Sequence, residues 1–269
     1  MTPETTRDVM SSQNEAADGE RRELLMLVSA SKMPFLIGGT HALREYTDNT
    51  RRTKDLDLFV RPGDVLHVLE LCKEHGFHVE LPFPHWLGKV HRRGQLTDVI
   101  FGSGNGIAIV DDSWFTHARC GEVLGVPVRL CPPEEMIWSK AFVQERERFD
   151  GADVLHLLRA LGASLDWPRL LQRFDSHPHV LLAHLVMFDF VYPDQHHQVP
   201  NWVIEELMPR FLRARAERAV PICNGTLLSR EQYLDDVEKW GYWDGRLEPV
   251  GRMTQEEIDI WTAAIDEKP

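Results

Sequence analysis

Residues Phe35 to Val60, FLIGGTHALREYTDNTRRTKDLDLFV, constrain what this chain can fold into more than any other stretch. A short apolar run ends in Gly38-Gly39, a helical segment follows, and a second apolar run opens with Asp55 and Asp57 set two residues apart. In an extended strand alternate side chains share a face, so both carboxylates project to one side. Two acids side by side on a rigid element repel each other unless a cation offsets them. A hard divalent ion with oxygen ligands is the expected occupant, and Mg2+ is the usual one where phosphates complete its shell. The glycine pair supplies the other half, because a strand running through Gly-Gly into a helix lets backbone N–H groups approach an anion at the helix's positive end. Thr40 adds a hydroxyl there. A phosphate cradle and metal-binding carboxylates one helix apart describe a nucleoside triphosphate site.

Around this unit the patterning is mixed. Residues 1–18 are polar and lack an apolar period, which predicts a disordered or loose tail. Glu20 to Ser31 reads as an amphipathic helix stopped by Met33-Pro34. The strand Phe35 to Ile37, a helix over Thr40 to Tyr46 and the strand Asp55 to Val60 follow. Asp64 then reads as the N-cap of a helix ending at Gly76. Phe77 to Leu81 reads as a strand. Leu87 to Arg92 and Leu96 to Phe101 read as an antiparallel hairpin joined by Arg93-Gly94-Gln95. The last of these runs carries Asp98 among Leu96, Val99, Ile100 and Phe101. Glu122 to Leu130 suggests a further hairpin turning at Gly125. Pro132-Pro133-Glu134-Glu135 opens a helix with proline in its first turn and acids at its positive end. Beyond Cys131 only helical signals recur.

The expected fold is therefore α/β (α+β): a mixed sheet flanked by helices, followed by a mostly helical C-terminal domain. The expected boundaries are a tail over 1–18, a catalytic domain over 19–132 and a helical domain over 133–269.

Composition narrows the partners. The formal net charge of -12 gives a whole-molecule field that repels a polyanion, so nucleic-acid contact needs a local basic patch. Cys72, Cys120, Cys131 and Cys223 form no C-x-x-C pair, which argues for reduced thiols in a cytoplasmic protein. No apolar run is long enough to span a bilayer. The 13 histidines match no common zinc spacing, and structural or surface roles fit them better. The arginines of 209–218 are diluted by Glu205, Glu206 and Glu217 and read as a solvated face.

Singly, Asp55, Asp57 and Asp98 are each ordinary surface acids. Together, on strands with apolar neighbours and behind a Gly-Gly turn, they favour a metal site. Gly38-Gly39, a helix, Arg51-x-Thr53-x-Asp55-x-Asp57 and a later strand bearing Asp98 resemble the DNA polymerase beta superfamily of nucleotidyltransferases. The R-x-T-x-D-x-D form is most similar to the AbiEii-like bacterial proteins. Many superfamily members carry Gly-Ser where this chain has Gly38-Gly39, which leaves Thr40 to supply any hydroxyl contact to phosphate.

The resemblance covers about residues 34 to 160 and implies nucleotidyl transfer from an NTP to an acceptor hydroxyl. Two Mg2+ ions about 4 Å apart would be held by Asp55, Asp57 and Asp98, with Asp98 as general base. Gly38, Gly39, Thr40, Arg51, Thr53 and Lys140 would hold the nucleotide, with Asp150 or Asp153 supporting Lys140. Lys54 is a second candidate cation beside Arg51. The acceptor would be a tRNA end or a small molecule such as an antibiotic, and the likeness admits an antitoxin protein as partner. The competing expectation is a catalytically inactive nucleotidyltransferase-fold module that binds or regulates. The G-x-G-x-x-G spacing of a dinucleotide fold is absent.

Overall fold

The computed structural model describes residues 18–48, 53, 55–216 and 220–265. The tail expected over 1–18 lies outside the described residues except for Asp18, which opens helix α1 (18–30). The chain divides into two compact units. One takes residues up to Ala42, the stretch ending at Phe101, and Val110–Cys131; the other takes the stretch from Leu43, Gly102–Ile109, and Pro132 onward.

The first unit is built on a seven-stranded sheet of order β3-β4-β5-β2-β1-β7-β6. Its strands are β1 (Leu36–Ile37), β2 (Asp55–Phe59), β3 (His78–Phe83), β4 (Leu87–Arg92), β5 (Gln95–Ile100), β6 (Arg119–Val123) and β7 (Val126–Leu130). The sheet is mixed: β2 runs parallel to β5, β1 runs parallel to β7, and the remaining neighbours are antiparallel. Helices α2 (Gly39–Thr47), α3 (Val65–Glu74) and α4 (Asp112–Thr116) lie between strands in the chain.

Alternation in the strands decides which face is covered. Leu56 and Leu58 of β2 and Val99 of β5 are at most 1% exposed, and Leu36 and Ile37 of β1 are fully buried. Burying each such side chain stabilises by about 1.5–3 kcal/mol. Helix α3 closes this layer with Val65, Val68, Leu69 and Cys72, and Leu69 reaches to within 3.3 Å of the position a Cβ would take at Gly88. Asp64 stands at the N-cap position of α3 without capping it, because its carboxylate turns to Arg61 at 3.5 Å. Arg61 also pairs with Asp112 at 2.6 Å and stacks over Phe115, which ties α4 to the sheet.

The second unit is mostly helical: α5 (Pro133–Ala141), α6 (Gly151–Leu161), α7 (Trp167–Arg173), α8 (Pro178–Val191), α9 (Asn201–Ala216), α10 (Leu234–Glu238) and α11 (Gln255–Ala263). Two strands of two residues each, β8 (Ile222–Cys223) and β9 (Trp243–Asp244), pair in parallel within it. They are too short to show a period of two, which is why the sequence suggested only helices there. Glu134 and Glu135 stand in the first turn of α5, as expected, and make further contacts there. Both are buried and bound by Arg169, whose guanidinium reaches each carboxylate at 2.5 Å, and Arg173 adds a bond of 3.2 Å to Glu135. The two carboxylates hold the Arg169 pKa above its ordinary value against the opposing effect of burial.

Candidate active site

The site residues of the first unit are positioned by sheet register. Across β2 and β5, Asp55 pairs with Leu96 and Asp57 pairs with Asp98. Paired residues on neighbouring strands project to the same face, so Asp55, Asp57 and Asp98 share the face opposite Leu56, Leu58 and Val99. Asp55 is exposed at the strand's entry, whereas Asp57 and Asp98 are half-buried. Asp57 and Asp98 are thus brought side by side although their numbers differ by 41.

The Gly-Gly turn fits against this pair. Gly38 donates its N–H to the Asp57 carbonyl at 3.0 Å, and a Cβ at Gly38 would stand 2.2 Å from the Phe59 ring. Gly39 adopts φ +54, the left-handed region that glycine occupies at least cost. A Cβ at Gly39 would meet Asp57 Oδ2 at 1.6 Å, so the glycine lets that carboxylate lie directly over the start of α2. Thr40 follows in the first turn of α2 and is half-buried. Carboxylate and helix N-terminus therefore meet at one point of the fold.

Thr53 enters the strand with its hydroxyl engaged: it donates to the Asp55 carbonyl at 3.1 Å and accepts from the Asp55 N–H at 3.2 Å. That fixes the backbone just before Asp55. Arg51 and Lys54 lie outside the described residues.

Lys140 belongs to the second unit, where its ammonium bridges Asp150 at 3.0 Å and Asp153 at 2.7 Å. Burial pushes the Asp150 carboxyl up, but Lys140 and Arg148 outweigh it and hold the group below its usual range. Two carboxylates match the lysine's charge on the spot, and these pairs join α5 to the start of α6.

One residue of this face escaped the sequence reading. In the β4–β5 hairpin Lys89 pairs directly with Asp98, and in β3–β4 it pairs with Glu80. One row across four strands therefore reads Glu80, Lys89, Asp98, Asp57. The neighbouring row reads His78, His91, Leu96, Asp55. The alternation LGKVHR was the available signal, since it sets Lys89 and His91 opposite the buried Val90.

Does the donor set suit Mg2+? Among the described residues no group of three His, Cys, Asp or Glu side chains is arranged to hold a metal ion. Mg2+ in phosphate chemistry, however, takes only one or two carboxylates and fills its shell with substrate oxygens and water. Asp57 and Asp98, adjacent and half-buried with Asp55 on the same face, meet that lesser requirement.

A cavity of about 430 Å3 opens in the second unit, lined by Tyr46, Thr47, Arg159 and Tyr192 among others, and includes none of the motif residues. Among the described residues no helix is long and apolar enough to cross a membrane.

No family model matches the chain, and no curated protein matches it significantly. Among solved structures it is similar to the antibiotic-resistance factor ANT(2'')-Ia, at 18% identity and TM-score 0.45, over 63% of this chain and 97% of that one. It is also similar to the lincosamide antibiotic adenylyltransferase LnuA in its lincomycin-bound form, at 13% identity and TM-score 0.39, over 52% and 94% of the two chains. The Megavirus polyadenylate synthase is similar at 14% identity and TM-score 0.34, over 67% of this chain and 36% of that one.

Proposed function

We propose that the first unit catalyses Mg2+-dependent transfer of a nucleoside monophosphate from an NTP to an acceptor hydroxyl, on a tRNA end or a small molecule. The observation that carries this reading is the register pairing of Asp57 with Asp98 beside a glycine turn that admits the Asp57 carboxylate to the N-terminus of α2. Adjacent carboxylates on a half-buried face suit a site that takes a cation together with a phosphate.

In this reading Asp55, Asp57 and Asp98 would hold Mg2+, two ions in the full complex, which would supply neutralisation of phosphate charge and a lowered pKa for the acceptor hydroxyl. Gly38, Gly39 and Thr40 offer N–H and hydroxyl donors to the triphosphate. Thr53 fixes the backbone that presents Asp55, and Arg51 is the candidate cation for the phosphates. The acceptor oxygen attacks the α-phosphorus and forms a new P–O bond. The bond to the bridging oxygen breaks, pyrophosphate leaves with its electron pair, and Asp98 takes the hydroxyl proton. Most of the rate comes from positioning and charge stabilisation.

A second reading, a nucleotide-binding module without catalysis, draws on the lack of a ready three-ligand metal group among the described residues. One assay separates the two. Protein, Mg2+ and each labelled NTP are incubated with total tRNA or with hydroxyl-bearing small molecules, and pyrophosphate and labelled product are measured. Wild type should exceed Asp57→Ala by at least about a hundredfold, the scale on which losing a charge-stabilising group acts. Equal signals from the two proteins under all conditions would leave only the binding module.

A further inference from the structure

The sheet orders the site from one side to the other. The Gly38-Gly39 turn follows β1, on one side of Asp57, while β5 and then β4 lie on the other. A triphosphate seated at the turn and Asp57 leaves the acceptor to lie over β5 and β4, beyond Asp98. The residue waiting there is Lys89, register partner of Asp98. Its other neighbour in the row, Glu80, is already engaged by His78 at 3.0 Å and His91 at 3.7 Å. No ion pair within 4.0 Å among the described residues involves the Lys89 ammonium. The acceptor side of the face therefore presents a half-buried cation beside Asp98, and the acid on its other side, Glu80, is engaged by two histidines.

We propose that the acceptor carries a phosphate close to its reactive hydroxyl and that Lys89 receives this phosphate, placing the hydroxyl at Asp98. The inference rests on the nucleotidyl-transfer reading and narrows its acceptor. A polycationic acceptor would meet Lys89 with like charge, at a cost in just the region it must occupy. A phosphate-bearing hydroxyl occurs both at the 3′ end of an RNA and on a sugar phosphate, and a lysine serves either as a point-charge phosphate ligand. The bonds made and broken are those of the transfer above; Lys89 neither gains nor loses a proton.

Three acceptors distinguish the sources: a short RNA with a free 3′ hydroxyl, glucose 6-phosphate beside unphosphorylated glucose, and the cationic tobramycin. Transfer is measured for wild type, Lys89→Glu, Lys89→Met and Lys89→Arg, each checked for an unchanged Tm. Wild type should favour a phosphate-bearing acceptor. Lys89→Glu should lower its kcat/KM at least about tenfold, mostly through KM of the acceptor with KM of the NTP unmoved, and Lys89→Arg should restore most of it. Binding of the short RNA and of glucose 6-phosphate without NTP is followed by calorimetry and should weaken in the same order.

Preference for glucose or tobramycin, or a Lys89→Glu protein that transfers to the phosphate-bearing acceptor as well as wild type, overturns the proposal and leaves nucleotidyl transfer standing. Should no acceptor give more product than with Asp57→Ala, the transfer reading is lost, and binding alone decides. Wild type that binds neither phosphate compound, or binds it as tightly as Lys89→Glu does, then overturns the role of Lys89. Binding that weakens in Lys89→Glu retains Lys89 as a phosphate site.

Discussion

Gly39 and Asp57 are so placed that a single methyl group on the glycine would stand 1.6 Å from the carboxylate oxygen Oδ2. The obstacle is the far end of a side chain, so Gly39→Ala can be accommodated by rotating the Asp57 carboxylate away. Backbone strain remains, because φ is +54 there and the left-handed region costs an L-residue about 1–2 kcal/mol. The expected variant is folded, with a Tm a few degrees lower by the usual scaling of about 4 °C or less per kcal/mol for a chain of this size, yet with transfer as low as in Asp57→Ala. Circular dichroism melting and the NTP assay check the two halves separately. Wild-type activity in a folded Gly39→Ala protein would remove the glycine from the site. Gly38→Ala differs, since it collides with the Phe59 ring at 2.2 Å and should cost stability first.

The Arg169 clamp in the second unit yields a stability prediction. Glu134 and Glu135 are 2% and 0% exposed, and Arg169 binds both. Removing the arginine leaves buried carboxylates with only part of their compensation, Arg173 for Glu135 and the Asp166 N–H for Glu134. Loss of one partner from a buried pair costs about 3–5 kcal/mol. Arg169→Ala should lower the unfolding free energy measured by urea titration by that amount. A double change to Glu135→Gln and Arg169→Ala should recover part of it.

Lys140 separates a structural from a nucleotide role. If its work is to bridge Asp150 and Asp153, Lys140→Met should lower stability by up to about 3 kcal/mol, with KM for the NTP unchanged. A raised KM at unchanged stability would instead make it a phosphate ligand.

Stability should also fall in mild acid. Burial pushes the pKa of His184 below its ordinary 6.5, while a bond to the Val180 carbonyl opposes it in part. His177 is lowered by burial and by its neighbour His179. A histidine whose folded pKa is depressed stays neutral in the native state while the unfolded chain takes up a proton. No penalty exists above pH 6.5, and stability is lost as pH falls from 6.5 toward the folded value, by up to about 1.4 kcal/mol per pH unit for each group. Urea titrations at pH 7.5, 6.5 and 5.5 measure the slope. His184→Leu should flatten it, and an unchanged slope would mean that His184 does not titrate differently on folding.

How much of this was legible beforehand differs between the two units. In the first, period-two alternation placed Asp55 and Asp57 on one face and bounded β4 within a residue of its limits, because a sheet buried on one side writes its geometry directly into the sequence. The partnership of β2 with β5 was not readable from spacing, since two strands and a helix intervene and parallel pairing leaves no local mark. Lys89 was lost to a one-residue difference. A three-residue turn Arg93-Gly94-Gln95 sets Arg92 opposite Leu96 and Lys89 opposite the buried Val99. The structure instead pairs Arg92 with Gln95, with Arg93 at φ 48 and Gly94 at φ 76, the double positive φ of a two-residue hairpin turn. In the second unit, Glu134 and Glu135 looked like acids complementing a helix dipole, because their partners Arg169 and Arg173 come from a different helix more than thirty residues on.

That two-residue turn carries a further consequence. Surface turns are ordinarily the places where a chain tolerates an added or deleted residue. Here the length of the Arg93-Gly94 connection sets the parity of the hairpin, and with it whether Lys89 or a hydrophobic neighbour stands across from Asp98. A connection exposed to solvent is therefore as length-sensitive as a buried strand. Natural variation at this turn is expected to exchange residue types freely while keeping their number.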